Sequence, residues 1–156
     1  MIQSYFNSKA EIWDEAIAEK DLERLANMAA RLAIQMDSTV LDVGTGTGVF
    51  IPFLLEKIGS KGKLFCLDFA EEMLKKARAK NFKGNIRFIC ADIMNNNLEG
   101  SFFDALVCYS SFPHFQDKLA ALKEMYRLLK SGGRLFILHT SSREAINKIH
   151  KQIVII

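Results

Sequence analysis

Short apolar runs alternate with longer amphipathic segments along most of the chain. The runs are rich in valine, isoleucine, leucine and phenylalanine, as buried strands are, and the segments carry apolar residues at helical spacing. The predicted strands are 40–43, 63–68, 86–90, 103–109 and 134–139. This alternation predicts an α/β fold, a doubly wound and mostly parallel sheet with right-handed crossovers and a ligand site at the carboxyl ends of the strands. With 156 residues, we expect one domain over 1–156.

The same spacing predicts where the helices lie. Residues 11–20 and 21–36 are predicted as helices, with Asp21 as N-cap of the second. That helix is expected to carry Leu22, Leu25, Ala29, Leu32 and Met36 on one face. Four further helices are predicted. The first follows the glycine-rich turn and has Pro52 in its first turn, and the second spans 70–78. The third begins at an Asp117 N-cap and ends at Ser131-Gly132-Gly133, and the fourth spans 141–150. The helix that begins at Asp117 is expected to share a face of Leu119, Leu122, Tyr126 and Leu129.

The glycine-rich turn follows the first predicted strand and reads Gly44-Thr45-Gly46-Thr47-Gly48. A turn with so few side chains lets the backbone approach a ligand and points helix N-terminal amides at a negative group. The dinucleotide fingerprint is G-x-G-x-x-G, whereas here the spacing is G-x-G-x-G and Val49 stands where that fingerprint has glycine. Asp42 would repel a pyrophosphate but suits a ligand with positive charge, such as S-adenosylmethionine (SAM).

A second acid, Asp68, ends the next predicted strand. In a nucleotide-binding doubly wound sheet, an acid at this place can accept hydrogen bonds from both ribose hydroxyls, and Phe69 could pack against adenine. This feature fits NAD and SAM equally. A purely structural role for Asp68, as a helix N-cap or strand-end acid, is the alternative.

At Leu41-Asp42-Val43-Gly44-Thr45-Gly46-Thr47-Gly48 the sequence resembles the first motif of the class I SAM-dependent methyltransferases, in particular the small-molecule-type domains of the type 11/25 group. Phe103-Asp104 followed by apolar residues, and Leu128-Leu129-Lys130-Ser131-Gly132-Gly133-Arg134-Leu135, are similar to later motifs of that family. The resemblance covers roughly residues 5–140 and implies a Rossmann-like core with SAM as cofactor. It further implies that Asp92 binds the adenine amino group and that Ile93 covers the ring.

The resemblance and the residue patterns together predict a cofactor-binding site. The candidate cofactor-binding residues are Asp42, Gly44, Thr45, Gly46, Gly48, Asp68, Phe69, Met73, Asp92, Ile93 and Tyr109. Residues 1–36 are expected to form a helical lid or cap, because many members of the family open with a similar aromatic segment. The alternative is that Phe6 and Trp13 simply anchor an N-terminal helix to the core.

Candidate substrate residues are Tyr5, Trp13, His114 and His139, whose rings favour a small-molecule acceptor. His114 could contact the substrate or act as a base, or could merely pack on Phe112 and Phe115. No catalytic acid or base is predicted. The Asn/Asp-Pro-Pro-Tyr-like motif of families that methylate amide or amino nitrogens does not occur, which disfavours a nucleic-acid base or glutamine as substrate.

Composition adds few constraints. The formal net charge is +3 with no basic block, which argues neither for nor against nucleic acid. The missing Asn/Asp-Pro-Pro-Tyr-like motif is what makes nucleic acid an unlikely partner. No apolar run is long enough to span a membrane, and the first residues do not resemble a signal peptide, so we expect a cytoplasmic protein. Cys66, Cys90 and Cys108 are predicted to be buried, reduced thiols, with no metal site.

The family core has seven strands, and only five clear ones are predicted here. We therefore expect that the C-terminal strands are missing, through truncation or incomplete resolution, and that the open sheet edge could pair with a second copy. The predicted function is SAM-dependent methyl transfer by in-line displacement to an unidentified small molecule. The alternatives are a SAM-binding module that is inactive in this form and, from a different class, an NAD-dependent oxidoreductase.

Overall fold

The computed structural model describes residues 2–14 and 19–139, with the backbone alone for 19–21. The helices are α1 (Ile2–Lys9), α2 (Glu19–Ala30), α3 (Ile51–Ile58), α4 (Glu71–Ala79) and α5 (Lys118–Leu128), and short 3₁₀ turns lie at Ala10–Ile12 and Phe112–His114. The strands are β1 (Thr39–Val43), β2 (Lys63–Asp68), β3 (Ile86–Cys90), β4 (Phe103–Tyr109) and β5 (Leu129–Leu138). The predicted helix 141–150 lies outside the described residues.

The strands form one five-stranded sheet in the order β3-β2-β1-β4-β5, and every neighbouring pair is parallel. The prediction of a parallel α/β sheet is confirmed. The chain moves outward from β1 through β2 to β3, then returns to the other side of β1 to form β4. Loops that leave the carboxyl ends of β1 and β4 therefore diverge, and a crevice opens between them.

Core residues alternate between the two faces of the sheet, as parallel strands covered on both sides require. Val40 packs in one cluster with residues of α2 and α3, whereas Leu41 and Val43 pack in a second cluster with residues of α5. The sheet is therefore covered by helices on both faces, which is the predicted doubly wound arrangement.

The N-terminal helices differ from the prediction. Residues 2–9 are already helical, a 3₁₀ turn follows at Ala10–Ile12, and α2 ends at Ala30 rather than at residue 36. The Lys57 ammonium donates to the carbonyl oxygens of Ala30 and Leu32 at 3.0 Å each, and satisfies acceptors at this helix end. Met36 consequently lies beyond the helix and is 70% exposed. Leu22 is also exposed, and Asp21 lies inside α2 rather than at its N-cap.

The apolar face that the sequence pattern identified on α5 is not the face that α5 buries. Leu119 and Tyr126 are 63% and 81% exposed, and the buried residues are Ala121, Met125 and Leu128. Helix α5 has apolar residues on two faces. The face with Ala121, Met125 and Leu128, at positions i, i+4 and i+7, packs against the sheet. Its N-cap is as predicted, because the Asp117 carboxylate accepts from the Ala120 amide at 2.9 Å.

Two further predictions need correction. Strand pairing begins at Leu129, directly after α5, and not at residue 134; the Ser131-Gly132-Gly133 segment lies within β5. Of the three cysteines, Cys66 and Cys108 are buried as expected, but Cys90 is exposed because β3 is an edge strand.

The other edge strand is β5, which among residues 2–14 and 19–139 pairs with β4 alone. Pairing of this edge with a second copy stays a prediction. No helix in the described part of the chain is long and apolar enough to cross a membrane.

Candidate cofactor and acceptor site

A cavity of about 300 Å³ lies at the carboxyl ends of the strands, where the chain changes direction between β1 and β4. Such a crevice is where open parallel sheets bind their ligands, and the volume is at the lower end of small-molecule pockets. Its wall contains most of the predicted cofactor residues: Gly44, Thr45, Gly46, Asp68, Phe69, Met73, Asp92, Ile93 and Tyr109. The fold therefore brings together residues that are far apart in the sequence.

The glycine loop, residues 44–50, forms one wall of this cavity. Gly44 and Gly46 have φ angles of +75° and +57°, a backbone conformation that glycine adopts without steric cost. The amides of Gly44 and Thr45 donate to the Leu67 carbonyl oxygen at 2.8 and 3.1 Å. The Gly46 amide donates to Asp68 Oδ2 at 2.7 Å. Protein acceptors in β2 thus hold these amides, so the first half of the loop is organised by β2.

Asp68 lines the cavity at the end of β2 and is almost fully buried. Its Oδ1 accepts from the Ala70 amide at 2.8 Å, and its Oδ2 accepts from Gly46. Burial raises the pKa of this carboxyl, and the backbone hydrogen bonds oppose that rise. Each carboxylate oxygen can accept more than one hydrogen bond, so the group retains acceptor capacity toward the cavity.

Asp42 lies outside the cavity wall. It occupies the second-last position of β1, so its side chain points to the face covered by α2 and α3, where it is 2% exposed. Its Oδ2 accepts from the Thr45 hydroxyl at 2.7 Å. Desolvation raises the pKa of Asp42 to about 7. Asp42 is thus joined to the cavity wall through Thr45, and its role toward the charged groups of a ligand stays a prediction. Gly48 also lies off the wall.

At the end of β3, Asp92 and Ile93 form the opposite end of the cavity. The Asp92 Oδ1 accepts from the Met94 amide at 2.9 Å, which fixes the carboxylate in a tight turn. Ile93 is buried, while Asp92 is exposed. An acid and an apolar surface next to each other can serve the polar edge and the face of a purine.

The N-terminal segment, residues 2–14, contributes Ile2, Gln3, Phe6 and Trp13 to the cavity wall. Gln3 donates to the Phe69 carbonyl oxygen, and Glu11 pairs with Lys76 of α4 at 2.7 Å. Asp14 accepts from the Thr47 hydroxyl of the glycine loop at 2.5 Å. A second oxygen of Asp14 lies 2.7 Å from the Lys80 ammonium. The segment is thus attached at both ends.

Phe6 is the central contact of this segment; the sequence placed it within the expected lid or, as the alternative, as an anchor, and did not predict it as a site residue. Its ring lies edge-on to Phe69 at 6.0 Å and to His114 at 5.2 Å between centroids, and it also contacts Trp13. Phe6, Trp13 and His114 all line the cavity. The aromatic spacing of residues 5–13 was the only sequence signal for this role.

The other side of the cavity is formed by residues 110–116, the acceptor loop, which follows β4. Ser110, Ser111, His114, Phe115 and Gln116 line the cavity here. Of these, only His114 was predicted from the sequence as a site residue, and Phe115 only as a residue on which it could pack. Two predicted substrate residues do not belong to the cavity wall: Tyr5 is 54% exposed on the outside of α1, and His139 follows the end of β5.

No group of three or more His, Cys, Asp or Glu side chains in the described ranges is arranged to hold a metal ion. Burial raises the pKa of Cys66 and that of Cys108, which keeps both as neutral thiols.

Comparison with known proteins identifies the family. The model of the methyltransferase domain family matches residues 40–133, from β1 into β5. The chain belongs to this family. The predicted membership of the SAM-dependent methyltransferases is thereby confirmed, and SAM is the cofactor that the family implies.

Relatives of this methyltransferase domain agree with that assignment. A demethylmenaquinone methyltransferase from Lactococcus lactis is 34% identical over 90% of the chain and 58% of its own length. A SAM-dependent methyltransferase from Aquifex aeolicus has 27% identity and a TM-score of 0.66, over 80% of this chain and 67% of that one. A candidate methyltransferase in complex with the Haloferax volcanii Trm112 activator has 28% identity and a TM-score of 0.75, over 85% and 58%.

The chain spans 58% of the length of the Lactococcus relative and 48% of that of a Staphylococcus epidermidis demethylmenaquinone methyltransferase. The residues of this chain that match the family model, 40–133, contain the glycine loop together with Asp68 and Asp92.

Proposed function

We propose that this methyltransferase domain binds SAM in the cavity between β1 and β4 and transfers its methyl group to a small-molecule acceptor. The observation that carries the proposal is the meeting of the glycine loop, Asp68 and Asp92 in one covered cavity. Asp68 is proposed to bind the ribose hydroxyls, and Asp92 with Ile93 the adenine. When bound, SAM supplies a methyl group on a sulfonium, which is already a good leaving group.

The protein then has two main tasks, to hold the acceptor atom in line with the methyl–sulfur bond and to exclude water. The N-terminal segment is proposed to perform the second task as a lid, and the support is that Phe6 and Trp13 line the cavity and contact each other. Residues 1–36 and the rest of the chain would then form a single functional domain.

For the acceptor, we propose a planar aromatic molecule of the naphthoquinol class. Two observations support this choice: the curated relatives act on demethylmenaquinone by name, and the cavity wall is rich in rings. Phe6, Trp13, Tyr109, His114 and Phe115 offer faces and edges on which a flat ring can stack. Methylation of a ring carbon forms one carbon–carbon bond, breaks the methyl–sulfur bond and releases the ring proton. His114 is the imidazole on this side of the cavity and is a candidate contact or base.

The cofactor is tested by calorimetric titration with SAM, S-adenosylhomocysteine and NAD. We expect both adenosyl ligands to bind and NAD not to bind. Asp68→Asn should weaken S-adenosylhomocysteine at least tenfold, because the ribose hydroxyls lose a charged acceptor. Asp117→Asn is the matched control: it makes the same chemical change at the N-cap of α5, outside the cavity, and should leave the affinity unchanged. Binding of NAD, or of none of the three, would contradict the proposal.

The acceptor class is tested with methyl-labelled SAM and a prenylated 1,4-naphthoquinol that lacks the ring methyl group. Label should appear on the ring carbon of the product. A fully ring-methylated naphthoquinol is the control and should receive none. Adenosyl-ligand binding without transfer to the first compound would refute the naphthoquinol assignment and leave the cofactor assignment standing.

A further inference from the structure

Ser111 of the acceptor loop lies directly against the start of the glycine loop. Its hydroxyl donates to the carbonyl oxygen of Val43, the last residue of β1, at 2.7 Å. The two residues are 68 positions apart in the sequence. Because Val43 is fully buried, its carbonyl oxygen requires a hydrogen-bond partner, and the Ser111 hydroxyl provides one. The hydrogen bond therefore joins the two sides of the crevice beneath the cavity.

The packing at this point is as close as the hydrogen bond. A Cβ atom added to Gly44 would lie 2.3 Å from Cβ and 2.5 Å from Oγ of Ser111. The side chain of Ser111 thus fills the space that the absence of a side chain at Gly44 leaves. The two loops interlock, and one cannot shift toward the other.

The backbone around Ser111 connects this contact to the acceptor side of the cavity. Ser110 has a φ angle of +55°, and this left-handed turn directs the chain from β4 back over the crevice. The Ser111 carbonyl oxygen accepts from the His114 amide at 3.0 Å, so Ser111 begins the 3₁₀ turn that carries His114. A displacement of Ser111 would therefore displace His114 as well.

We propose that Ser111 is a positioning residue that sets the distance between the cofactor and the acceptor and makes their binding interdependent. This inference rests on the proposed function. Ser111 acts through Val43 and Gly44 on one side and through the turn with His114 on the other. A cofactor that orders the glycine loop would also order the acceptor loop through the contacts of Ser111, and would thereby raise the affinity for the acceptor. A bound acceptor would raise the affinity for the cofactor by the same factor.

The test is a binding cycle that does not require turnover. Calorimetry gives the Kd of 1,4-dihydroxynaphthalene, kept reduced under argon, with and without saturating S-adenosylhomocysteine. In the unmodified protein we expect S-adenosylhomocysteine to tighten naphthalenediol binding about tenfold, within the usual range of coupling between sites. Ser111→Ala should reduce this factor to about one to two, whatever the change in the Kd for S-adenosylhomocysteine alone. Ser111→Thr, which retains the hydroxyl, should restore part of the coupling.

The control is Ser131→Ala, an exposed serine of β5 far from the cavity, which should retain full coupling. Thermal unfolding of each variant shows that it is folded before it is titrated. An unchanged coupling factor in Ser111→Ala, or S-adenosylhomocysteine binding without any coupling in the unmodified protein, would overturn the inference. Failure of S-adenosylhomocysteine to bind the unmodified protein at all would instead refute the proposed function.

Discussion

The Asp42→Asn substitution tests the electrostatics beneath the glycine loop. The Asp42 carboxyl is buried on the face of the sheet that α2 and α3 cover, and it accepts a hydrogen bond from the Thr45 hydroxyl. An asparagine has nearly the same shape, and its carbonyl oxygen can accept the same hydrogen bond. The substitution therefore removes the ionisation and retains the contact.

The sign and size of the effect follow from the pKa shift. The pKa of Asp42 rises from 3.8 to about 7 in the folded protein, so the folded state binds the proton more tightly than the unfolded chain. Stability that is present below the unfolded pKa is lost as the pH rises through the folded pKa. With ~1.4 kcal/mol per pKa unit, the ionised carboxyl costs about 4 kcal/mol at and above pH 7. Asp42→Asn should recover this free energy.

The assay is urea unfolding of both proteins between pH 5 and pH 8, followed by circular dichroism. The linkage relation predicts that the variant is more stable by about 2 kcal/mol at pH 5 and about 4 kcal/mol at pH 8. Asp68 is present in both proteins, but its charge contributes to the raised pKa of Asp42, so the difference contains the interaction between the two carboxyls as well as the desolvation of Asp42.

Asp104→Asn is a matched control. Lys130 and the Thr39 amide bind the Asp104 carboxylate, and its pKa is lowered, so its loss should not stabilise the protein. A stability difference between Asp42→Asn and the unmodified protein that stays constant from pH 5 to pH 8 would refute the reasoning.

Two further predictions concern local structure. Gly44→Ala should lower the free energy of unfolding by several kcal/mol, because its Cβ would collide with Ser111; Gly46→Ala has a similar φ but nothing within 4 Å, and should cost only about 1–2 kcal/mol. If urea unfolding gives the same loss of free energy for Gly44→Ala and Gly46→Ala, the expected collision with Ser111 does not destabilise the protein. Asp117→Ala should cost about 1 kcal/mol by loss of its hydrogen bond to Ala120, whereas Asp117→Asn should be nearly neutral. A larger loss for the asparagine variant would contradict this assignment.

The sequence by itself determined the strands and the glycine loop. Strands buried on both faces must be continuous apolar runs, so β2 and β4 begin and end where the pattern predicted them. The edge strand β3 also has its predicted bounds, although none of its residues is fully buried. Asp117 was predictable for a similarly local reason, since an acid before an amphipathic run satisfies the first helix amides. Asp68 could be placed in the cavity because it is the last residue of its strand, where the side chain reaches the carboxyl edge of the sheet.

Only the tertiary structure decided contacts between distant segments. The two apolar stripes of α5 are equally helical in the sequence, and the close approach of the sheet selected the one with Ala121. Asp42 lies one position before the strand end, so the alternation of side chains turned it away from the cavity, which a motif alone does not specify. Ser111 and Phe6 act through residues that are remote in the chain. Their roles depend on which loops the strand order brings together, and that order is a property of the folded sheet.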